Sequence, residues 1–483
     1  MLNSLLSLPN TQQLIVGDEL SNSAKVWIDS RKVQVGDVFV GLKGEQVDGN
    51  DYWQAALDKG ARLLVLERAP DAEGLANIEQ AGCHLVVVAS GEATLAVWAR
   101  AYRQTVLTKA NDGAGVELIG ITGSNGKTST KELLKAVLSE NFAVEATVGN
   151  YNNHLGVPLT VLSCNPEQEV LIVEMGTNHP NEIEFLCDIA QVNQGIITCV
   201  GNAHIEFLGS VAGVAKEKGA LLRSLTSAQL GDKPRGFAQA HVAQREILSS
   251  EVTAQMLWVG ENHQLEITQI SQTIKGTQFN LQTVNSNTAQ GTQTYPVQMP
   301  ILPTVMLENI RLVIEVAYAM GMTLTQIASG LESFQLTAGR FEIVEAQGKY
   351  WINDAYNANP DSLREAYASL QLLSEKQGDI WVVFAQMGEL GEQALEQHYQ
   401  LGCEASQLGF NTIAVGESDL VKAYYQGAKE AAQESELEPL SISHAMNQEE
   451  AQQILLAQLQ AGDKVLFKAS RAAGLEQLFK QFI

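Results

Sequence analysis

Basic residues are scarce in this chain. Its 31 Lys and Arg stand against 55 Asp and Glu, a formal charge of −24 over 483 residues. Proteins that hold nucleic acid neutralise phosphates with cations, so this balance argues against such a partner. It favours solubility and monomeric behaviour instead. Cysteine is sparse too. The five cysteines (Cys83, Cys164, Cys187, Cys199 and Cys403) are scattered and lack metal-ligand spacing. Buried free thiols in a reducing cytoplasm are therefore expected, not a disulfide framework. No window approaches the roughly 20 apolar residues of a membrane span. The opening MLNSLLSLPN lacks the basic flank of a secretory signal. Also missing are Gly-x-Gly-x-x-Gly, the dinucleotide fingerprint, and Asn-Lys-x-Asp, the guanine-reading run of nucleotide switches. What remains is a globular cytoplasmic protein, 45% hydrophobic and too long for a single core.

The most informative stretch present is Val116 to Ser129, VELIGITGSNGKTS. Val116, Leu118, Ile119 and Ile121 predict a buried strand, Gly123 and Gly126 a tight turn, and Lys127-Thr128-Ser129 a helix start. Backbone N–H groups and the helix dipole at such a turn suit a triphosphate, with the Thr128 hydroxyl free for magnesium. Ile121 stands where the usual phosphate loop has its first glycine, leaving the shorter pattern Gly123-x-x-Gly126-Lys127-Thr128. The plainer reading is an ordinary strand-to-helix turn carrying a surface lysine.

The rest of the chain predicts an α/β protein of three domains. Residues 1–92 form a small α/β unit with strands near Lys25–Ile28, Asp37–Val40, Ala61–Leu66 and His84–Val88. Residues 93–335 form a central P-loop domain, a parallel sheet with helices on both faces. Its helices are expected at Thr94–Gln104, Thr128–Glu140 and Leu307–Met320, and its further strands at Val170–Glu174 and Gly195–Val200. A Gln-, Thr- and Asn-rich stretch from Ser227 to Pro300 predicts an antiparallel extension. Residues 336–483 predict a second, Rossmann-like α/β unit.

Ligands in open α/β sheets collect at the carboxyl ends of strands. Three polar clusters should meet the phosphate loop there: the loop Gly149 to Pro158, Glu174 to Asn178 ending one strand, and Asn202-Ala203-His204 ending the next. A carboxylate, a histidine and a hydroxyl near a triphosphate read as magnesium ligands. Singly, Glu174 reads equally as a helix cap and His204 as a satisfied hydrogen-bonding residue.

With these motifs the chain resembles the Mur ligase family of bacterial cell-wall synthesis. Thr122-Gly123-Ser124-Asn125-Gly126-Lys127-Thr128 is similar to the family's ATP loop, and the clusters at Asn152, Glu174 and His204 follow in its order. Asp354-Ala355-Tyr356-Asn357-Ala358-Asn359-Pro360 is similar to the run in the member that adds D-alanyl-D-alanine to UDP-N-acetylmuramoyl-tripeptide. Asp29-Ser30-Arg31, Gly36 to Val40 and Lys43-Gly44-Glu45 resemble its UDP-sugar domain.

The resemblance implies an ADP-forming peptide ligase of peptidoglycan synthesis. Its cofactors are ATP and Mg2+, its substrates those two molecules, and the third domain closes on ATP and binds the dipeptide. It implies that Gly123, Ser124, Asn125, Gly126, Lys127, Thr128, Ser129, Asn309, Arg340 and Asp354 hold ATP. Lys127, Glu174, His204 and Lys218 are the implied catalytic residues, and Thr128, Glu174, His204 and a carbamylated Lys218 the implied magnesium ligands. Substrate contacts fall to Ser30, Arg31, Lys43, Gly44, Asn152, Asn153, Tyr356, Asn357, Asn359, Lys468, Ser470 and Arg471. Three departures stand out: Pro303-Thr304-Val305-Met306 in place of Gly-x-His-Asn, Ala385-Gln386-Met387 in place of Gly-Asp-Met, and Ala469 in place of a glycine. Alternatives are a sibling ligase adding one amino acid, a folate polyglutamate-type ligase, and a nucleotide switch without ligase chemistry.

Overall fold

The computed structural model describes every residue except 22, 226–234, 262, 274–275, 285–292, 374–377 and 435–438. The central sheet has six strands, all paired in parallel. Their order is Gln255–Val259, Arg235–Gln239, Gln194–Ile197, Glu117–Thr122, Val170–Glu174 and Val144–Ala146. Alternate residues of these strands enter two different cores. Leu118, Leu171, Val173 and Ile197 face the helices Gly91–Thr105, Gly156–Leu162, Glu182–Ala190 and Val211–Arg223. Ile119, Ile121, Ile172 and Ile196 face Lys127–Leu138, Met306–Ala319 and Leu324–Ser333. Burial on both faces is why these strands are continuously apolar.

The amino-terminal sheet has five strands in the order Thr11–Ile15, His84–Val88, Leu63–Leu66, Val38–Val40 and Val26–Trp27, with only the first antiparallel to its neighbour. Its Val38, Val40, Leu63 and Val65 share one core with the central sheet. Leu95, Trp98, Ala99 and Tyr102 of helix Gly91–Thr105 fill the space between. Glu92, where the sequence places the first division, lies inside this helix. The carboxy-terminal sheet runs Glu342–Ala346, Lys349–Asp354, Lys464–Lys468, Ile380–Phe384, Asn411–Val415 and Ile442–Ala445, again parallel after an antiparallel first pair. It has its own cores on both faces.

Three sequence expectations shift. Leu265–Thr273, Gly276–Thr283 and Thr294–Met299 do form an antiparallel sheet, but Arg235–Gln239 and Gln255–Val259 from the same polar stretch extend the central parallel sheet. Residues 226–234 and 285–292 of that stretch lie outside the described ones. The expected loop Gly149 to Pro158 turns helical at Gly156. Pro158 sits in the first turn, where its missing N–H costs no helical bond, and Asn153 Oδ1 accepts from the N–H groups of Leu155 and Gly156 at 3.2 and 2.9 Å. Asn202 to His204 does not end a strand, because Gln194–Ile197 stops earlier and His204 takes φ 57° before the short helix Ile205–Leu208. Among the thiols, Cys83, Cys164 and Cys187 are buried, while Cys199 and Cys403 are half-buried.

Candidate active site

Strand Glu117–Thr122 delivers the chain into the turn Gly123 to Gly126, which opens helix Lys127–Leu138. Both glycines are required by space. A Cβ on Gly123 would lie 1.8 Å from Thr198 Oγ1. Gly126 has φ 79°, and a Cβ there would lie 2.9 Å from Asn309 Nδ2. Cys199 Sγ accepts from the Asn125 N–H at 3.2 Å, bracing the turn from behind. The Lys127 ammonium folds back onto the loop, donating to Gly123 O at 2.6 Å and to Ser124 O at 3.4 Å. Burial lowers its pKa, and the charge of Glu174 opposes the shift.

Glu174, at the end of strand Val170–Glu174, is only 1% exposed. Its Oε1 accepts from Asn152 Nδ2 at 2.8 Å and from Thr128 Oγ1 at 3.2 Å. Its Oε2 has no hydrogen-bond partner. A buried carboxylate oxygen without a donor, beside a hydroxyl, suits a hard cation. Thr128 and Glu174 are thus brought together as the sequence implied. His204 lines the same cavity, but its Nδ1 lies 2.7 Å from Glu389 Oε2. His204 also holds the Glu389 carboxyl below the usual carboxylate range. Lys218 is 0% exposed, its Nζ has no hydrogen-bond partner, and burial and the charge of Lys127 push its pKa down to about 7. The lowered pKa raises the share of neutral amine, the form that adds carbon dioxide, although Lys218 does not line the cavity. Among the described residues no three His, Cys, Asp or Glu side chains form a ready-made metal cluster.

The cavity, of about 630 Å3, lies between the central and third domains. Asn309, from helix Met306–Ala319, faces Gly126 within it. Arg340 Nη2 donates to Thr128 Oγ1 at 3.0 Å, and its guanidinium stacks 4.2 Å from the Tyr356 ring centre. Arg471, which is exposed, lies 5.3 Å from the centre of the same Tyr356 ring. Lys468 Nζ donates to Asp354 Oδ2 at 2.6 Å and to Asn357 O at 3.0 Å. Asn359 has two roles. Its Oδ1 caps helix Pro360–Leu372 through the Ser362 N–H at 2.8 Å, and its Nδ2 donates across the domains to Asn125 Oδ1 at 2.7 Å. Nearby, Asp361 Oδ2 accepts from the Asn202 N–H at 2.8 Å.

Other sequence-predicted residues sit elsewhere. Ser30 is buried in the first domain, whereas Arg31, Lys43 and Gly44 are exposed; none of the four lines the cavity. Arg31 is bound to Asp29 at 2.9 Å. Ser470 lies outside the cavity too, its N–H donating to Gln386 O at 3.2 Å. Asn153 lines the rim but spends its oxygen on helix capping, and Ser129 lines the wall beside Thr128. Sequence reasoning missed Glu389, Glu365 and Lys131. Burial pushes the Glu365 carboxyl, at the cavity, up to about 7. Glu389 carries a left-handed φ of 62°, which no sequence pattern signals. Lys131 was findable as a lysine on the apolar face of the phosphate-loop helix.

A phosphate loop, a buried carboxylate and a third-domain face closing one cleft define a three-domain P-loop enzyme. Family models agree with that class: the Mur ligase family catalytic domain matches residues 24–103, the Mur ligase middle domain 121–317, and the Mur ligase glutamate ligase domain 339–471. The chain belongs to the Mur ligase family, whose members are ATP-dependent, ADP-forming ligases. It is 31% identical to the UDP-N-acetylmuramoyl-tripeptide–D-alanyl-D-alanine ligase of Escherichia coli strain K12, over 80% of each chain. Among solved structures it resembles MurF from Acinetobacter baumannii, with a TM-score of 0.77 at 27% identity over 95% of this chain and 93% of the other. It also resembles the MurF ligase of Thermotoga maritima in complex with ADP, with a TM-score of 0.75 at 25% identity over 96% and 98%.

Proposed function

We propose that this chain joins D-alanyl-D-alanine to UDP-N-acetylmuramoyl-tripeptide, forming the UDP-pentapeptide, ADP and phosphate for peptidoglycan. The observation that carries the reading is one cleft lined by both the Lys127-Thr128-Glu174 cluster and the Asp354 to Asn359 run. The name of the E. coli relative supports the same substrates.

A carboxylate and an ammonium do not condense in water without activation. The tripeptide carboxylate attacks the γ-phosphorus of ATP, the bond to the bridging oxygen breaks, and ADP departs from an acyl phosphate. The deprotonated dipeptide amine then attacks the acyl carbon and phosphate leaves. Lys127, released from the loop carbonyls, offers its charge to the transferring phosphoryl group. Mg2+, held by Thr128 and Glu174 with His204 and a carbamylated Lys218 as the further ligands of this reading, would neutralise phosphate charge. Gly123, Ser124, Asn125, Gly126 and Ser129 wrap the phosphates, and Asn309 faces the base. Arg340, Asp354, Tyr356, Asn357, Asn359 and Lys468 bring the third domain against ATP and dipeptide, excluding water from the acyl phosphate. The UDP-sugar end belongs to the first domain, with Ser30, Arg31, Lys43 and Gly44. Division near residues 92 and 335, a monomeric state and a cytoplasmic setting complete the proposal. Among the described residues no helix is long and apolar enough to cross a membrane.

ADP release by the purified chain tests this reading. It should require both the UDP-tripeptide and D-alanyl-D-alanine. Equal turnover with neither substrate, or with a single amino acid replacing the dipeptide, would overturn it.

A further inference from the structure

Lys131 lies one turn beyond Lys127 on helix Lys127–Leu138, and its side chain is wholly buried. A buried ammonium is costly unless oxygens surround it. Lys131 Nζ donates to Thr147 O at 2.7 Å and to Gly149 O at 3.2 Å. It stands 3.0 Å from Glu132 Oε1 and 3.7 Å from Glu174 Oε2.

These contacts converge on one carboxylate. The carbonyls pin the segment leading from strand Val144–Ala146 to Asn152, whose amide donates to Glu174 Oε1. In the same segment, Thr147 Oγ1 accepts the Glu174 N–H at 3.0 Å. At 3.7 Å the ammonium attracts Oε2 without hydrogen-bonding it. Oε2 thus keeps its lone pairs while its negative charge is compensated.

We propose that Lys131 is a positioning residue that orients Glu174 for the divalent cation accompanying the nucleotide. This rests on the nucleotide-site reading above. Lys131 touches neither substrate nor phosphate; it acts through Glu174 and the pinned segment.

Calorimetry of ADP binding to the full chain, with Mg2+ and separately with EDTA, tests it. Lys131→Met should cut the Mg2+-dependent gain in ADP affinity by about tenfold or more. Binding in EDTA should stay within about twofold of the unaltered chain, and Lys131→Arg should recover part of the gain. In a Glu174→Gln background, Lys131→Met should have no further effect on that gain, because the lysine would have lost the group it acts through. If Lys131→Met does not fold, Lys131→Gln keeps a donor for the two carbonyls, removes the charge, and carries the same expectations. A folded variant with an undiminished Mg2+ gain, or an equal loss in the Glu174→Gln background, would overturn the role of Lys131. An unaltered chain that binds ADP with no Mg2+ gain would overturn the nucleotide-site reading together with it.

Discussion

Replacing Lys218 with methionine should make the protein more stable and inactive at once. The side chain is 0% exposed, its Nζ has no hydrogen-bond partner, and burial together with Lys127 lowers its pKa from 10.5 to about 7. The folded state therefore binds this proton less tightly than the unfolded chain. The penalty is largest below pH 7 and fades as pH rises towards 10.5, so this residue's drag on stability lessens with alkalinity. At about 1.4 kcal/mol per pKa unit, the drag comes to about 5 kcal/mol at pH 6 and about 3 kcal/mol at pH 8.5. Methionine, of similar length and uncharged, should relieve about 2 kcal/mol more at pH 6 than at pH 8.5. Urea denaturation of both proteins in bicarbonate-free buffer at the two pH values measures the difference, and coupled ADP release measures activity. A gain independent of pH would refute the burial argument. Undiminished ligase turnover would refute the assignment of Lys218 to the reaction.

Lys127→Ala should abolish dipeptide-dependent ADP release while leaving the circular dichroism spectrum unchanged; product at the normal rate would sink the phosphate-loop assignment. Gly126→Ala places a methyl against Asn309 in a left-handed backbone, which costs about 1–2 kcal/mol, and should weaken ADP binding by about tenfold in calorimetry. Glu315, buried on helix Met306–Ala319, accepts from the Gln264 and Leu265 N–H groups, each at 2.8 Å, and burial raises its carboxyl to about 7. It binds its proton more tightly folded than unfolded, so its contribution is lost as pH rises from 4.5 through 7. Glu315→Gln should therefore stabilise the protein by up to about 3 kcal/mol above pH 7 and not below pH 4.5, as read from denaturation midpoints.

What the sequence made legible was local. The strand, turn and helix of the phosphate loop are adjacent in the chain, and the apolar run before Glu174 announces a strand end. Glu389 and Asp361 were hidden because their neighbours, His204 and Asn202, lie on another domain, and only tertiary packing pairs them. The helix at Gly156 was hidden by its amides and proline, which read as a loop until Asn153 is seen capping it. Arg31 and Lys43 show the opposite limit. Both are exposed on the first domain, outside the cleft, so neither burial nor a neighbouring side chain from the central domain marks them out.

One core runs unbroken from Val38 and Leu63 of the first sheet through Trp98 to Leu118 and Val173 of the second. Polar pairs such as Asn125 with Asn359 join the third domain to this body. On the reading proposed above, a sugar held by the first sheet would stand at a set distance from the point of phosphorylation, a ruler whose length this shared core fixes. A peptide stem one residue too short would bring its carboxylate up about 3.5 Å shy of the phosphorus, and no sliding between the first two domains could close that gap.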